Sequence, residues 1–155
     1  MVVTTLRGTK MTVIGRKPTE YLIGENVDQL DPFTVFVRAM EGFPIKNVEA
    51  MLSVSELYSS TKIMTRIVGK SVRTIQRQGN KSQRLTSQQS AVAFQYAKIL
   101  EQATAVFGDQ KLAEEWLSRP CKQLAGSMPL DLIDNSLGFQ AVEDYLERIE
   151  LGVYQ

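Results

Sequence analysis

Lys62, Arg66, Lys70, Arg73, Arg77, Lys81 and Arg84 fall within one stretch, TKIMTRIVGKSVRTIQRQGNKSQRL, with no Asp or Glu among them. Cations at this density, interleaved with Ser71, Thr74 and Gln76, can neutralise phosphates and donate to base edges. They suit binding rather than bond-making. Little else in the chain suits catalysis. There is no histidine, which removes Ser–His and Cys–His nucleophilic pairs and most catalytic zinc sites. Cys121 is the single cysteine. It can form no intrachain disulfide and has no cysteine neighbour for a redox or metal motif; a reducing compartment fits it best. Glycine-rich phosphate loops are missing. Asp131 and Asp134, a carboxylate pair at i, i+3, fit the flanks of helix starts better than acid–base work. The expectation is a binding protein, not an enzyme, with no cofactor and no metal.

The charge is unevenly spread. Residues 1–90 carry 13 Lys and Arg against 7 Asp and Glu, a net of +6; residues 91–155 carry 5 against 10, a net of −5. A basic half attracts phosphate backbones and an acidic half repels them, so two surfaces with different partners are expected. No long apolar run is present to cross a membrane, and the first residues lack the apolar stretch of a secretory leader. The expected address is the cytoplasm.

The elements that must position these residues read as short helices. The first 31 residues are weakly periodic and are expected to form an extension of uncertain order, with a possible short strand at Met11–Ile14. Asp31 can cap a helix opened by Pro32, with Phe33, Phe36, Val37 and Met40 at helical spacing and Gly42 as its stop. Pro44 can open a second, with Ile45, Val48 and Leu52 inward. Ser53 and Glu56 have the capping-box pattern for a third that aligns Leu57, Met64 and Val68 and ends at Gly69. Ser71 can cap a fourth, with Val72 and Ile75 buried and Gly79 as its stop. Thr86 and Gln89 repeat the capping-box pattern before the best apolar stripe in the chain: Val92, Tyr96, Ile99, Leu100, Ala103, Val106 and Phe107. Gly108 ends that helix. Asp109 can cap the next, with Leu112, Ala113, Trp116 and Leu117 inward and Pro120 as its break. Pro129 can open a short helix with Leu130 and Ile133. Ser136 can cap the last, with Phe139, Val142, Leu146 and Ile149 inward and Gly152 closing it.

The third helix, Gly69 and the fourth helix have the layout of a helix-turn-helix. Glycine supplies the left-handed backbone that the tight turn needs. The fourth helix would present Arg73, Thr74, Gln76 and Arg77 to base edges, with Lys62, Arg66, Lys70, Lys81 and Arg84 around it for phosphates. Lys70 and Gln78 stand where such units usually carry apolar residues. The plainer alternative is a solvated basic face on an ordinary helical domain.

From SVRTIQRQ (Ser71–Gln78) onward, the chain resembles antitoxins of the Xre/MbcA/ParS kind, the partners of RES-domain toxins. That family has a Ser-x-x-Thr-x-x-Arg recognition helix, met here by Ser71, Thr74 and Arg77. The resemblance continues through RLTSQQS and AVFGDQKLAEEWLSRP and is strongest in MPLDLIDNSLGFQAVEDYLERIELGVYQ. There the family pattern is met by Pro129, Asp131, Leu132, Gly138, Arg148, Ile149, Gly152 and Val153, with Ile133 in place of the usual second leucine. The resemblance implies an N-terminal helix-turn-helix that represses its own promoter. It also implies a C-terminal part that neutralises an NAD-consuming RES toxin by blocking its active-site cleft. Carried onto this chain, toxin contact falls to Arg148, Leu151, Gly152, Val153 and Tyr154. A homodimer on a palindromic operator is implied as well.

The residues alone are compatible with this. An apolar, aromatic tail after Gly152 suits insertion into a pocket, with Tyr154 as its anchor. Glu143, Asp144, Glu147 and Glu150 suit a basic cleft. A terminal amphipathic helix with a polar outer face is the bland alternative. Trp116, Leu130 and Phe139 read first as core, with a share of them available to a toxin or dimer surface. The expected organisation is all-α: an extension at 1–31, a helix-turn-helix DNA-binding domain at 32–108 and a small helical toxin-binding domain at 109–155. Two alternatives stand beside it. One is a stand-alone helix-turn-helix repressor whose C-terminal domain only dimerises. The other is a chain whose tail binds some other protein.

Overall fold

Proline at a first helical position costs no hydrogen bond, and the helical body opens on one. The computed structural model describes residues 16–69 and 83–152, with the backbone of residues 2–6 and 9–13. Those first segments pair as an antiparallel hairpin, β1 (Val2–Leu6) with β2 (Thr9–Val13), so the strand expected near Met11 has a partner. All regular structure described from Pro18 onward is helical. Helix α1 (Pro18–Ile23) buries Thr19, Leu22 and Ile23. Its Thr19 hydroxyl donates to Glu101 at 2.7 Å, and Asn47 donates to the Leu22 carbonyl at 3.1 Å. Six residues are too few to show a period, which is why the sequence reads this helix as part of an aperiodic extension.

Helix α2 (Pro32–Glu41) starts as expected: Asp31 accepts from the Thr34 N–H at 2.9 Å. The contact with Thr34 holds the Asp31 carboxyl below its usual pKa. The face differs. Val35 and Ala39 pack against the core, while Phe33, Phe36 and Met40 point to solvent. Helix α3 (Ile45–Ser53) buries Val48, Met51 and Leu52.

The single third helix of the sequence reading is two helices, α4 (Glu56–Ser60) and α5 (Ile63–Val68). Between them the Thr61 hydroxyl donates to the Leu57 carbonyl at 2.6 Å, and Lys62 adopts a left-handed φ of 56°. A side chain bonding its own helix and a left-handed residue together interrupt the ladder. The cap is Ser55, which accepts from the Tyr58 N–H at 3.0 Å; the Ser53 hydroxyl instead donates to the Ala50 carbonyl.

Helix α6 (Ser87–Phe107) carries the expected reciprocal box: Thr86 accepts from Gln89 at 3.1 Å, and Gln89 accepts from Thr86 at 2.9 Å. Its buried face is Ser90, Ala93, Tyr96, Ala97, Ile99, Leu100 and Ala103, and it packs against α1, α2, α5, α7 and α8. Helix α7 (Gln110–Leu117) buries Ala113 and Leu117 but leaves Leu112 exposed, contrary to expectation. A 3-10 turn at Pro129–Leu132 buries Leu130 beside Ile133. Helix α8 (Ser136–Glu150) buries Val142 and Leu146. Asn135 caps it rather than Ser136, accepting from the Leu137 and Gly138 N–H groups. One hydrophobic cluster runs from Leu22 to Leu146, so the expected boundary at Gly108 falls at the end of a helix that both halves share.

Candidate functional site

The basic element starts from α5. Gly69 takes a φ of 72° and its N–H donates to the Thr65 carbonyl at 2.7 Å, so the turn glycine stands where the sequence requires it. Lys62 is exposed just before α5. The chain returns at Gln83, whose carbonyl accepts from the Ile45 N–H at 3.0 Å, and the Leu85 N–H donates to the Phe43 carbonyl at 2.9 Å. Arg84 donates to the Gly42 carbonyl at 2.6 Å, so its guanidinium has a structural partner. Both ends of the basic stretch are therefore fixed to the same body. Lys70, Ser71, Arg73, Thr74, Gln76, Arg77 and Lys81 lie outside the described residues, as does the expected fourth helix.

Arg66 faces a carboxylate. Its guanidinium lies 3.2 Å from Asp131 and donates to the Leu130 carbonyl at 3.4 Å. Burial works to lower its pKa, but Tyr96 and Asp131 outweigh burial and raise it. The buried Tyr96 hydroxyl sits close enough to feel Arg66, although the two do not form a well-directed hydrogen bond. Burial pushes that hydroxyl up to about 12. A residue expected to contact phosphate thus ties α5 to the 3-10 turn before α8. No sequence signal could have paired Arg66 with Asp131, because only the fold brings them together.

The second candidate surface is the outer side of α8. At 100° per residue, Leu137, Ala141, Asp144, Arg148 and Leu151 form one stripe. All five are exposed, with Leu137 at 74% and Leu151 at 71%. Arg148 donates to Asp144 at 2.8 Å. The helix closes as Gly152 donates to the Ile149 carbonyl at 3.0 Å with a φ of 75°. Val153 and Tyr154 lie outside the described residues. The sequence reading named Arg148, Leu151 and Gly152 but missed Leu137; its place fourteen residues before Leu151 on the same face was the available signal. On the inner side Tyr145 stacks on Trp116 at 5.7 Å, and Trp116 meets Phe107 at 5.4 Å. This aromatic file clamps α7 and α8 onto the end of α6. Cys121 is buried, and no group of metal-ligating side chains occurs among the described residues. Among those residues, too, no helix is long and apolar enough to cross a membrane.

The profile of one protein family, the antitoxin Xre/MbcA/ParS C-terminal toxin-binding domain, matches residues 102–152. The C-terminal part of the chain is thus similar to the toxin-binding domain of Xre/MbcA/ParS antitoxins. Two relatives agree. An antitoxin Xre of Pseudomonas putida is 33% identical over 81 residues, which cover 52% of this chain and 51% of that protein. An antitoxin Xre of Photorhabdus laumondii subsp. laumondii is 25% identical over 114 residues, 73% of this chain and 76% of that protein. The match thus spans about half the length of the first relative. The Xre/MbcA/ParS segment contains Asp131, Gly138, the whole of α8 and the exposed stripe that ends at Leu151. Its glycine has a physical reason: a Cβ at Gly138 would run into the Leu132 carbonyl, so α8 packs this closely on the 3-10 turn only without one.

Proposed function

We propose that the chain is an antitoxin. Its C-terminal part binds and neutralises a cognate toxin through the outer stripe of α8 and the tail, using Arg148, Leu151, Gly152, Val153 and Tyr154. The single observation that carries this is the toxin-binding family profile over residues 102–152, which covers an exposed stripe ending in Leu151. The partner is a toxin of the RES kind, an NAD-consuming enzyme, as the sequence resemblance implies. Glu143, Asp144, Glu147 and Glu150 suit a cleft built to attract the phosphates of such a substrate. The chain itself performs no catalysis. It acts in the cytoplasm as a homodimer that represses its own operon through the helix-turn-helix. Arg73, Thr74, Gln76 and Arg77 read bases; Ser71, Lys70, Lys62, Lys81 and Arg84 hold phosphates. Arg66 is shared between phosphate and Asp131.

Growth decides the first half. The adjacent reading frame and this chain are expressed from separate inducible promoters. The neighbour alone should halt growth and this chain should restore it. Deleting Leu151–Gln155 should abolish rescue and keep promoter binding. Arg73→Ala with Arg77→Ala should do the reverse. A harmless neighbour, or one that is not rescued, would sink the partnership. Loss of both activities together in either variant would count against two separate surfaces and for a repressor whose C-terminal part only dimerises.

A further inference from the structure

Helix α2 shows solvent the side that its spacing would normally bury. Phe33, Phe36 and Met40 are 70%, 54% and 55% exposed, and the two phenyl rings touch with centroids 5.8 Å apart. At roughly 200 Å² for each large side chain, this ridge offers about 350 Å² of apolar surface. That is the size of the largest apolar patch on a typical monomer, which is often a functional surface. Directly beside the ridge runs an apolar groove of about 620 Å³, walled by Leu30, Val35, Phe36, Phe94 and Phe139. Lys98 and Glu143 stand on its walls.

We propose that this face is where a second copy of the chain docks, the ridge of each copy lying in the groove of the other. Three observations favour a second copy over another occupant. A protrusion next to a hollow on one face is self-complementary under a two-fold axis, as an isologous contact requires. The walls carry Lys98, Glu143 and Asp28; Asp28 is already paired with Lys17 at 2.6 Å, so each Lys98 can meet the other copy's Glu143. The area also suits a dimer: a standard interface takes roughly 800 Å² from each partner, and the ridge supplies nearly half of that before the groove walls are counted.

The arrangement leaves the other surfaces open. On α6, Ala91, Phe94 and Lys98 of the docking face lie about half a turn around from Gln89 and Tyr96. Gln89 donates to the Val68 carbonyl of α5 at 3.4 Å, and Tyr96 adjoins Arg66 of α5. The dimer face and α5 thus sit on opposite sides of α6. Paired units would each keep a basic element free for one half of a palindrome.

This assignment rests on the homodimer reading above, and the test separates the two. Sedimentation equilibrium of the full chain over 1–100 µM (about that range, spanning ordinary dimer affinities) should give twice the 17.4 kDa chain mass. Phe36→Glu with Met40→Glu should give a monomer, its dimer dissociation constant raised at least about 100-fold, with an unchanged far-UV circular dichroism spectrum. Leu112→Glu, at an exposed leucine away from the ridge, should remain a dimer. A monomeric wild type overturns both the dimer and its surface. A dimeric wild type whose double variant is still a dimer overturns the surface alone. If the double variant fails to fold, Met40→Cys replaces it: a short bifunctional maleimide should link two copies, and its failure to do so overturns the proposal. Rescue of growth is scored in parallel. A chain that dimerises through α2 but does not neutralise its neighbour keeps this surface and loses the antitoxin reading.

Discussion

Tyr58 and Tyr96 show how differently two buried hydroxyls can be treated. Their rings meet edge to face at 5.6 Å, and the Tyr58 hydroxyl donates to the Tyr96 carbonyl at 2.8 Å. The Tyr96 hydroxyl has no such acceptor. Tyr58→Phe should therefore cost about 1 kcal/mol, a lost buried hydrogen bond, whereas Tyr96→Phe should be neutral or mildly stabilising. Thermal melts measure both, at about 2–4 °C per kcal/mol for a chain of this size. Alkaline pH should separate them further. The folded chain keeps the Tyr96 proton up to about 12, while the unfolded chain releases it near its ordinary value of about 10. Stability is then intact below pH 10 and falls as pH rises from 10 toward 12. The Tyr96→Phe variant should show a flatter decline. Burial also raises Tyr58, so some decline should persist. At this scale the sequence was a partial guide. Tyr96 was legible as core from the α6 stripe. The Arg66–Asp131 pair was not, because a cation in a basic run looks like its neighbours until the fold sets a carboxylate beside it.

Helix ends were the most legible feature, because a cap is local. Asp31, Thr86 with Gln89, Asp109, Gly69, Gly108 and Gly152 all do what their types predict. The sequence pattern misplaces two caps by one or two residues, Ser53 for Ser55 and Ser136 for Asn135, because the final backbone path makes that choice. The faces of short helices were less legible. On α2 the spacing identifies an apolar stripe but not whether this chain or another covers it. Gly138 tests the tightest packing between elements. Gly138→Ala should push α8 off the Pro129–Leu132 turn and cost about 1–3 kcal/mol, as overpacking does. A melting point within error of wild type would show that the turn yields. The same variant should weaken neutralisation more than promoter binding, since α8 and not α5 is displaced.

Over the whole molecule, the opposed charges of the two halves set the conditions under which it works. A basic element that neutralises about five phosphates should give a log–log slope of promoter affinity against salt of roughly −4 to −5. Filter binding or fluorescence anisotropy across a salt series measures it, and a slope near zero would remove the phosphate contacts from the reading. Arg66→Ala should reduce the slope by less than one unit, because Asp131 already holds part of its charge. Asp131→Asn, freeing Arg66, should steepen it. The shared helix α6 carries a further consequence. The family profile begins at Gln102, inside α6, while the buried face of that helix runs from Ser90 to Ala103. A C-terminal unit cut out at the profile's edge would leave most of its own supporting helix behind, residues 87–101 of Ser87–Phe107. The two halves are therefore poor cassettes for exchange between lineages. Under the proposed reading, the choice of toxin and the choice of promoter are inherited as one block. New pairings then have to arise by substitutions on outward positions such as Leu137, Arg148 and Leu151 rather than by shuffling of domains.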